Sequence, residues 1–136
     1  MSSTQHTAPG IGPSGAPYRV LVVDDSVFVQ KQLKQILTSE LFEVVDVAND
    51  GLEGVNKYKA INPPVDLVTM DITMPNMDGI TALKAILEHD PNARVIMISA
   101  IGREDLVKQA LIAGAKNYMV KPLDRKKVIE RISNIF

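Results

Sequence analysis

The chain has 136 residues, 46% of them hydrophobic, a formal net charge of -1 and no cysteine. That length and apolar content suit a single domain with one substantial core, and the near-neutral charge offers no bulk attraction for nucleic acid or an anionic membrane. Disulfides, thiolate catalysis and cysteine-built zinc sites are excluded, no apolar run approaches the roughly 18 residues of a membrane span, and the first residues lack the features of a secretory signal.

Residues 1–17, MSSTQHTAPGIGPSGAP, are rich in Ser, Thr, Pro and Gly and predict a flexible N-terminal tail. A single domain over 18–136 follows. Its first strand is expected at 18–24, where VLVVDD ends in Asp24 and Asp25. Ser26 can cap the next helix, whose apolar face carries Val29, Leu33, Ile36 and Leu37. A second strand at 43–48 precedes a helix opened by Asp50, with Glu53 three residues on. The third strand, 66–71, ends at Asp71; Asp78 then starts a helix bearing Ile80, Leu83, Ile86 and Leu87. The fourth, 94–99, ends at Ser99, and Gly114 can terminate the helix after it. The fifth, 117–120, runs into Lys121-Pro122, and Val128, Ile132 and Ile135 mark the last helix.

Five such repeats with mostly apolar strands specify an α/β fold. It is a doubly wound, five-stranded parallel sheet inside a three-layer sandwich, because right-handed crossovers place helices on both faces. Ligands of open sheets bind beyond the strand carboxyl ends, where the strand order reverses. The three strand-end aspartates are expected there.

Carboxylates held close together raise one another's pKa unless a cation neutralises them, and a hard oxygen set suits Mg²⁺. Asp25 and Asp71 are the expected direct ligands, with Asp24 acting through water and the carbonyl of Thr73 as a backbone ligand. The alternative for the acidic pair is that it only helps cap the first helix. Asp71 is the expected nucleophile: its attack on phosphorus gives an acyl phosphate, whose charge calls for a fixed cation supplied by Lys121. A cis bond is expected before Pro122. Ser99 can donate its hydroxyl to a phosphoryl oxygen, against the alternative of a turn or helix cap. The basic run Arg125, Lys126, Lys127 and Arg131 is either a solvated face or a docking surface for an acidic segment.

The joint pattern VLVVDDS, MDITMPNMDG, ISA and YMVKP, extending from Tyr18 to Phe136, resembles the receiver domain of two-component response regulators. No DNA-binding or enzymatic domain is seen after the fifth helix, so the nearest resemblance is to single-domain chemotaxis regulators of the CheY type. Their strand order is 2-1-3-4-5. The resemblance implies a cytoplasmic, phosphoaccepting signalling protein rather than a turnover enzyme. Asp71 would be phosphorylated with Mg²⁺ by a CheA-like histidine kinase, Asp24 and Asp25 would form the acidic pair, and Lys121 would contact the phosphoryl group. It further implies that Ser99 and Tyr118 form a switch, acting on the face made by the fourth helix, fifth strand and fifth helix. Implied partners are a downstream target such as the flagellar motor switch and a phosphatase. The protein would be a monomer or weak dimer. Two positions that vary in the family, Thr73 and Ile101, bear on signal lifetime; Ile101 cannot orient an attacking water, so slow dephosphorylation is expected.

A phosphorelay intermediate, or a regulator outside chemotaxis that passes the phosphoryl group to a histidine phosphotransfer protein, would share this fold and site. A haloacid-dehalogenase-type phosphatase would carry a second Asp where Thr73 stands. A flavin module would need a Gly and hydroxyl phosphate cradle where the first loop is acidic.

Overall fold

The structure, a computed structural model, describes residues 8–136. Strands and helices alternate along the chain: β1 (Arg19–Val23), α1 (Val27–Ser39), β2 (Glu43–Ala48), α2 (Gly51–Ala60), β3 (Leu67–Asp71), α3 (Gly79–His89), β4 (Val95–Ser99), α4 (Glu104–Ala113), β5 (Asn117–Val120) and α5 (Arg125–Ser133). The five strands form one sheet in the order β2-β1-β3-β4-β5, with every neighbouring pair parallel. This is the doubly wound, three-layer sandwich that the βα repeats specify, in the strand order that the resemblance implied.

Side chains alternate across the sheet with period two and so divide the core into two layers. Leu21, Val23, Val68, Met70, Val95 and Met97 face α2, α3 and α4, where they meet Val55, Leu83, Ile86 and Val107. Val20, Val22, Leu67, Ile96, Ile98 and Met119 face α1 and α5, packing on Leu33, Leu37, Val128 and Ile132. Burying each such side chain contributes about 1.5–3 kcal/mol, so the central strands β3 and β4, covered on both faces, anchor the molecule. Thr69 sits in the middle of β3 with a buried hydroxyl that finds no hydrogen-bond partner.

The helix starts obey the capping rules. The side chains of Ser26, Asp50, Asp78 and Asp124 each accept a backbone N–H of the first turn of α1, α2, α3 and α5. α4 begins at Arg103 with no side-chain cap and ends on Gly114, at a left-handed φ of 118°.

Residues 8–17 depart from the expected flexible tail. The Gly10 N–H donates to the Glu40 carbonyl at 2.8 Å, Tyr18 N–H to the Gly10 carbonyl at 2.7 Å, and Ile11 bridges Pro17. This arm lies against the end of α1, and a Cβ at Gly10 would fall 2.1 Å from the Phe42 nitrogen. Composition suggested nothing to bury, but the arm is held by backbone hydrogen bonds and by one glycine's close approach, neither of which has a hydrophobic period. Residues 1–7 of the expected tail lie outside the described residues. Beside the arm, the ring of Tyr18 stacks on Phe136 with centroids 3.8 Å apart and lies 6.2 Å from Phe42. The guanidinium of Arg94 covers Phe136 at 5.1 Å.

Candidate functional site

The chain leaves β1 for β2 on one side and later returns to β3 on the other, so the carboxyl ends of β1 and β3 border the crevice of this sheet. Asp24 follows β1 and Asp71 ends β3, both almost fully buried, while Asp25 beside them is exposed. One carboxylate oxygen from each of the three lies within 4.8 Å of the others. Local hydrogen bonds fix this cluster. The Ser26 N–H donates to Asp24 Oδ1 at 2.8 Å, and the Gln30 amide donates to the Asp24 carbonyl at 2.6 Å and to Asn49 Oδ1 at 2.9 Å. The capping alternative for the acidic pair is therefore partly realised at Asp24, yet only one of its oxygens is used. Under Asp71 the next loop folds back so closely that a Cβ at Gly79 would meet the Asp71 carbonyl oxygen at 2.0 Å.

Lys121 enters from the end of β5, its Nζ 3.5 Å from both Asp24 Oδ2 and Asp71 Oδ1. The Lys121 N–H donates to the Ser99 carbonyl at 2.8 Å, and the following bond to Pro122 is cis. One ammonium thus faces three carboxylates. Burial pushes the Asp24 carboxyl up, opposed by the Ser26 N–H and by Lys121. Burial likewise raises Asp71; the charge of Asp24 adds to the effect and Lys121 counters it.

Whether a divalent ion suits these residues is tested by Asp24 Oδ2, which is buried and accepts no hydrogen bond. A buried carboxylate oxygen that an ammonium meets only at ion-pair distance, an all-oxygen donor set and an excess of negative charge over one lysine match the requirements of Mg²⁺. Thr73, expected to add a backbone ligand, lies exposed on the loop just past Asp71.

Ser99 is 2% exposed at the end of β4, next to Ile98, which pairs with Asp71. Its hydroxyl donates to the Ala100 carbonyl at 2.9 Å. A cavity of about 480 Å³ opens from Ser99 and Ala100 past Val107 and Leu111 to Tyr118. A second, of about 530 Å³, is lined by Phe28, Ile101, Lys121, Pro122 and Leu123. Ile101 and Phe28 are both 74% exposed and leave an apolar rim beside the acidic cluster. Three contacts had no signal in the sequence: the Gln30 bridge, the Asn76 amide donating to Asp50 Oδ2 at 2.7 Å, and the ion pair of Arg125 with Glu40. Each joins residues whose spacing follows no helical or strand period. Among the described residues, no helix is long and apolar enough to cross a membrane.

Residues 20–133 match the family model described as the response regulator receiver domain. The chain is 71% identical over 126 residues to the chemotaxis protein CheY of Treponema pallidum (strain Nichols), covering 93% of this chain and 88% of the relative. The CheY of Bacillus subtilis (strain 168) is 51% identical over 116 residues, covering 85% of this chain and 95% of that one. Among solved structures, a chain in the crystal structure of the CheX-CheY-BeF3-Mg+2 complex from Borrelia burgdorferi superposes with a TM-score of 0.92 at 58% identity. It spans 96% of this chain and 98% of its own.

Proposed function

The chain belongs to the response regulator receiver family, as a chemotaxis response regulator of the CheY type, and from that premise we propose that Asp71 is its phosphoacceptor. The relatives favour chemotaxis over the relay-intermediate reading. The receiver unit is residues 18–136. The observation that carries the proposal is the buried Asp71 carboxylate, 3.5 Å from Lys121 and clustered with Asp24 and Asp25.

In the transfer, an Asp71 oxygen forms a bond to the phosphorus of a histidine kinase's phosphohistidine as the phosphorus–nitrogen bond breaks. The electron pair stays on the departing imidazole, which takes up a proton, and Asp71 is left as an acyl phosphate. Asp25, Asp71 and the carbonyl of Thr73, with Asp24 acting through water, would hold a magnesium ion, which would supply the positive charge that the phosphoryl oxygens need. The ammonium of Lys121, 3.5 Å from Asp71 Oδ1, would contact the new group. Ser99 releases the Ala100 carbonyl and donates to a phosphoryl oxygen instead, which opens the cavity between Ser99 and Tyr118 to the tyrosine ring. The exposed face made by α4, β5 and α5 is remodelled, and a target such as the flagellar motor switch shifts the population through its differential affinity. A CheA-like kinase supplies the phosphoryl group and a CheX-like phosphatase removes it, in the cytoplasm.

Incubation with Mg²⁺ and a small acyl-phosphate donor should add the mass of one phosphoryl group, and Asp71→Asn should abolish the gain. A gain that survives the substitution, or none in the native chain, would sink the assignment.

A further inference from the structure

The ring of Tyr118 is covered from the opposite layer of the molecule. Tyr118 packs toward the core shared by α2, α3 and α4, whereas the buried residues of α5 belong to the other side of the sheet. Because β5 is the edge strand, a side chain from α5 can reach around it. Arg131 does so, placing its guanidinium carbon 4.8 Å from the centroid of the Tyr118 ring. Asn117 holds it there. The Asn117 amide donates to the Arg131 carbonyl at 3.0 Å, and its Oδ1 accepts from Arg131 Nη1 at 3.3 Å and from the Tyr118 N–H at 2.9 Å. The same ring lines the cavity of about 480 Å³ that leads to Ser99. It therefore stands between a fixed cation and an apolar space it could enter.

We propose that Arg131, seated by Asn117, is a positioning residue that latches Tyr118 in its resting place and so sets the balance between resting and activated faces. The inference rests on the phosphoacceptor reading. Entering the cavity would take the ring away from the guanidinium and give up an attraction that only the resting state enjoys. Losing such an attraction shifts a two-state balance by about two- to fivefold.

The test uses the full chain with Mg²⁺ and beryllofluoride, a stand-in for the phosphoryl group. Tyr118 ring resonances are assigned with a Tyr118→Phe control. In Arg131→Gln the free protein's ring signals should move toward their beryllofluoride-saturated positions, and the half-saturating concentration should fall about two- to fivefold. Arg131→Lys keeps a cation and should lie between, while Asn117→Ala, which leaves the arginine but removes its seat, should shift both readouts the same way. Variants whose ring signals and midpoint match the native chain would overturn the latch. A native Tyr118 that ignores beryllofluoride would instead overturn the phosphoacceptor reading beneath it.

Discussion

Asp71 carries its charge against the fold's preference. Burial and the neighbouring Asp24 raise its pKa, and Lys121 offsets only part of that. The native state therefore holds a proton on this group more tightly than the unfolded chain does. The resulting destabilisation is absent below the ordinary carboxylate range and grows as pH rises through the folded value. Asp71→Asn removes the charge while keeping the shape, so in the presence of a chelator it should stabilise the protein on the order of 1 kcal/mol near pH 7. The difference from the native chain should shrink on acidification, as measured by urea unfolding at several pH values; a less stable variant would contradict the electrostatic account. Ile101 makes a separate prediction. Its exposed side chain flanks Lys121 and offers a water nothing to bond to. Ile101→Glu should shorten the lifetime of the phosphorylated form, followed as loss of the added mass after the donor is removed, and an unchanged lifetime would count against any shielding role.

At the scale of elements, the strands were legible to within a residue. β2 and β5 fall at 43–48 and 117–120 as expected, and β1, β3 and β4 lose only end residues. Apolar β-branched runs bounded by helix caps leave little freedom in register, which is also why the acidic cluster could be placed beforehand. The arm over residues 8–17 was not legible, because hydrogen bonds to the Glu40 carbonyl and to Gly10 carry no residue-type pattern. The same holds for Arg131, whose partner Tyr118 lies across the sheet edge. Gly10→Ala tests the arm directly: with a Cβ only 2.1 Å from the Phe42 nitrogen, the arm must lift. Amide exchange at Tyr18, whose N–H the Gly10 carbonyl accepts, should then quicken while Val22 and Thr69 stay protected. Equal protection in both forms would show that the arm tolerates the methyl. Within β3, Thr69→Val replaces a buried, unpartnered hydroxyl by a methyl group of similar volume, and should raise stability by about 1 kcal/mol. A loss would mean that the hydroxyl has a partner, such as a buried water.

Across the whole molecule, the two edges of the sheet have different duties. The carboxyl edge gathers mutually repelling acids, in keeping with the phosphoacceptor role proposed for it, and it gives up stability to do so. The amino edge is closed by aromatic packing, Tyr18 on Phe136 with Arg94 over it, and these three residues are distinct from those of the acidic cluster at the other edge. Phe136 is 36% exposed, so its truncation should cost less than a core phenylalanine's; stacking and partial burial together suggest about 1–2 kcal/mol. Substitutions at sites with no shared partner add to within about 0.5 kcal/mol. Phe136→Ala should therefore lower stability by the same amount whether residue 71 is Asp or Asn, and should leave the stabilisation by Mg²⁺ unchanged, since that increment depends only on ion concentration and affinity. Urea unfolding of the four proteins of the cycle, with and without Mg²⁺, measures both. An interaction energy well above that limit would mean that the rigid sheet transmits strain from edge to edge, and that the stack helps set the energy of the phosphoacceptor site.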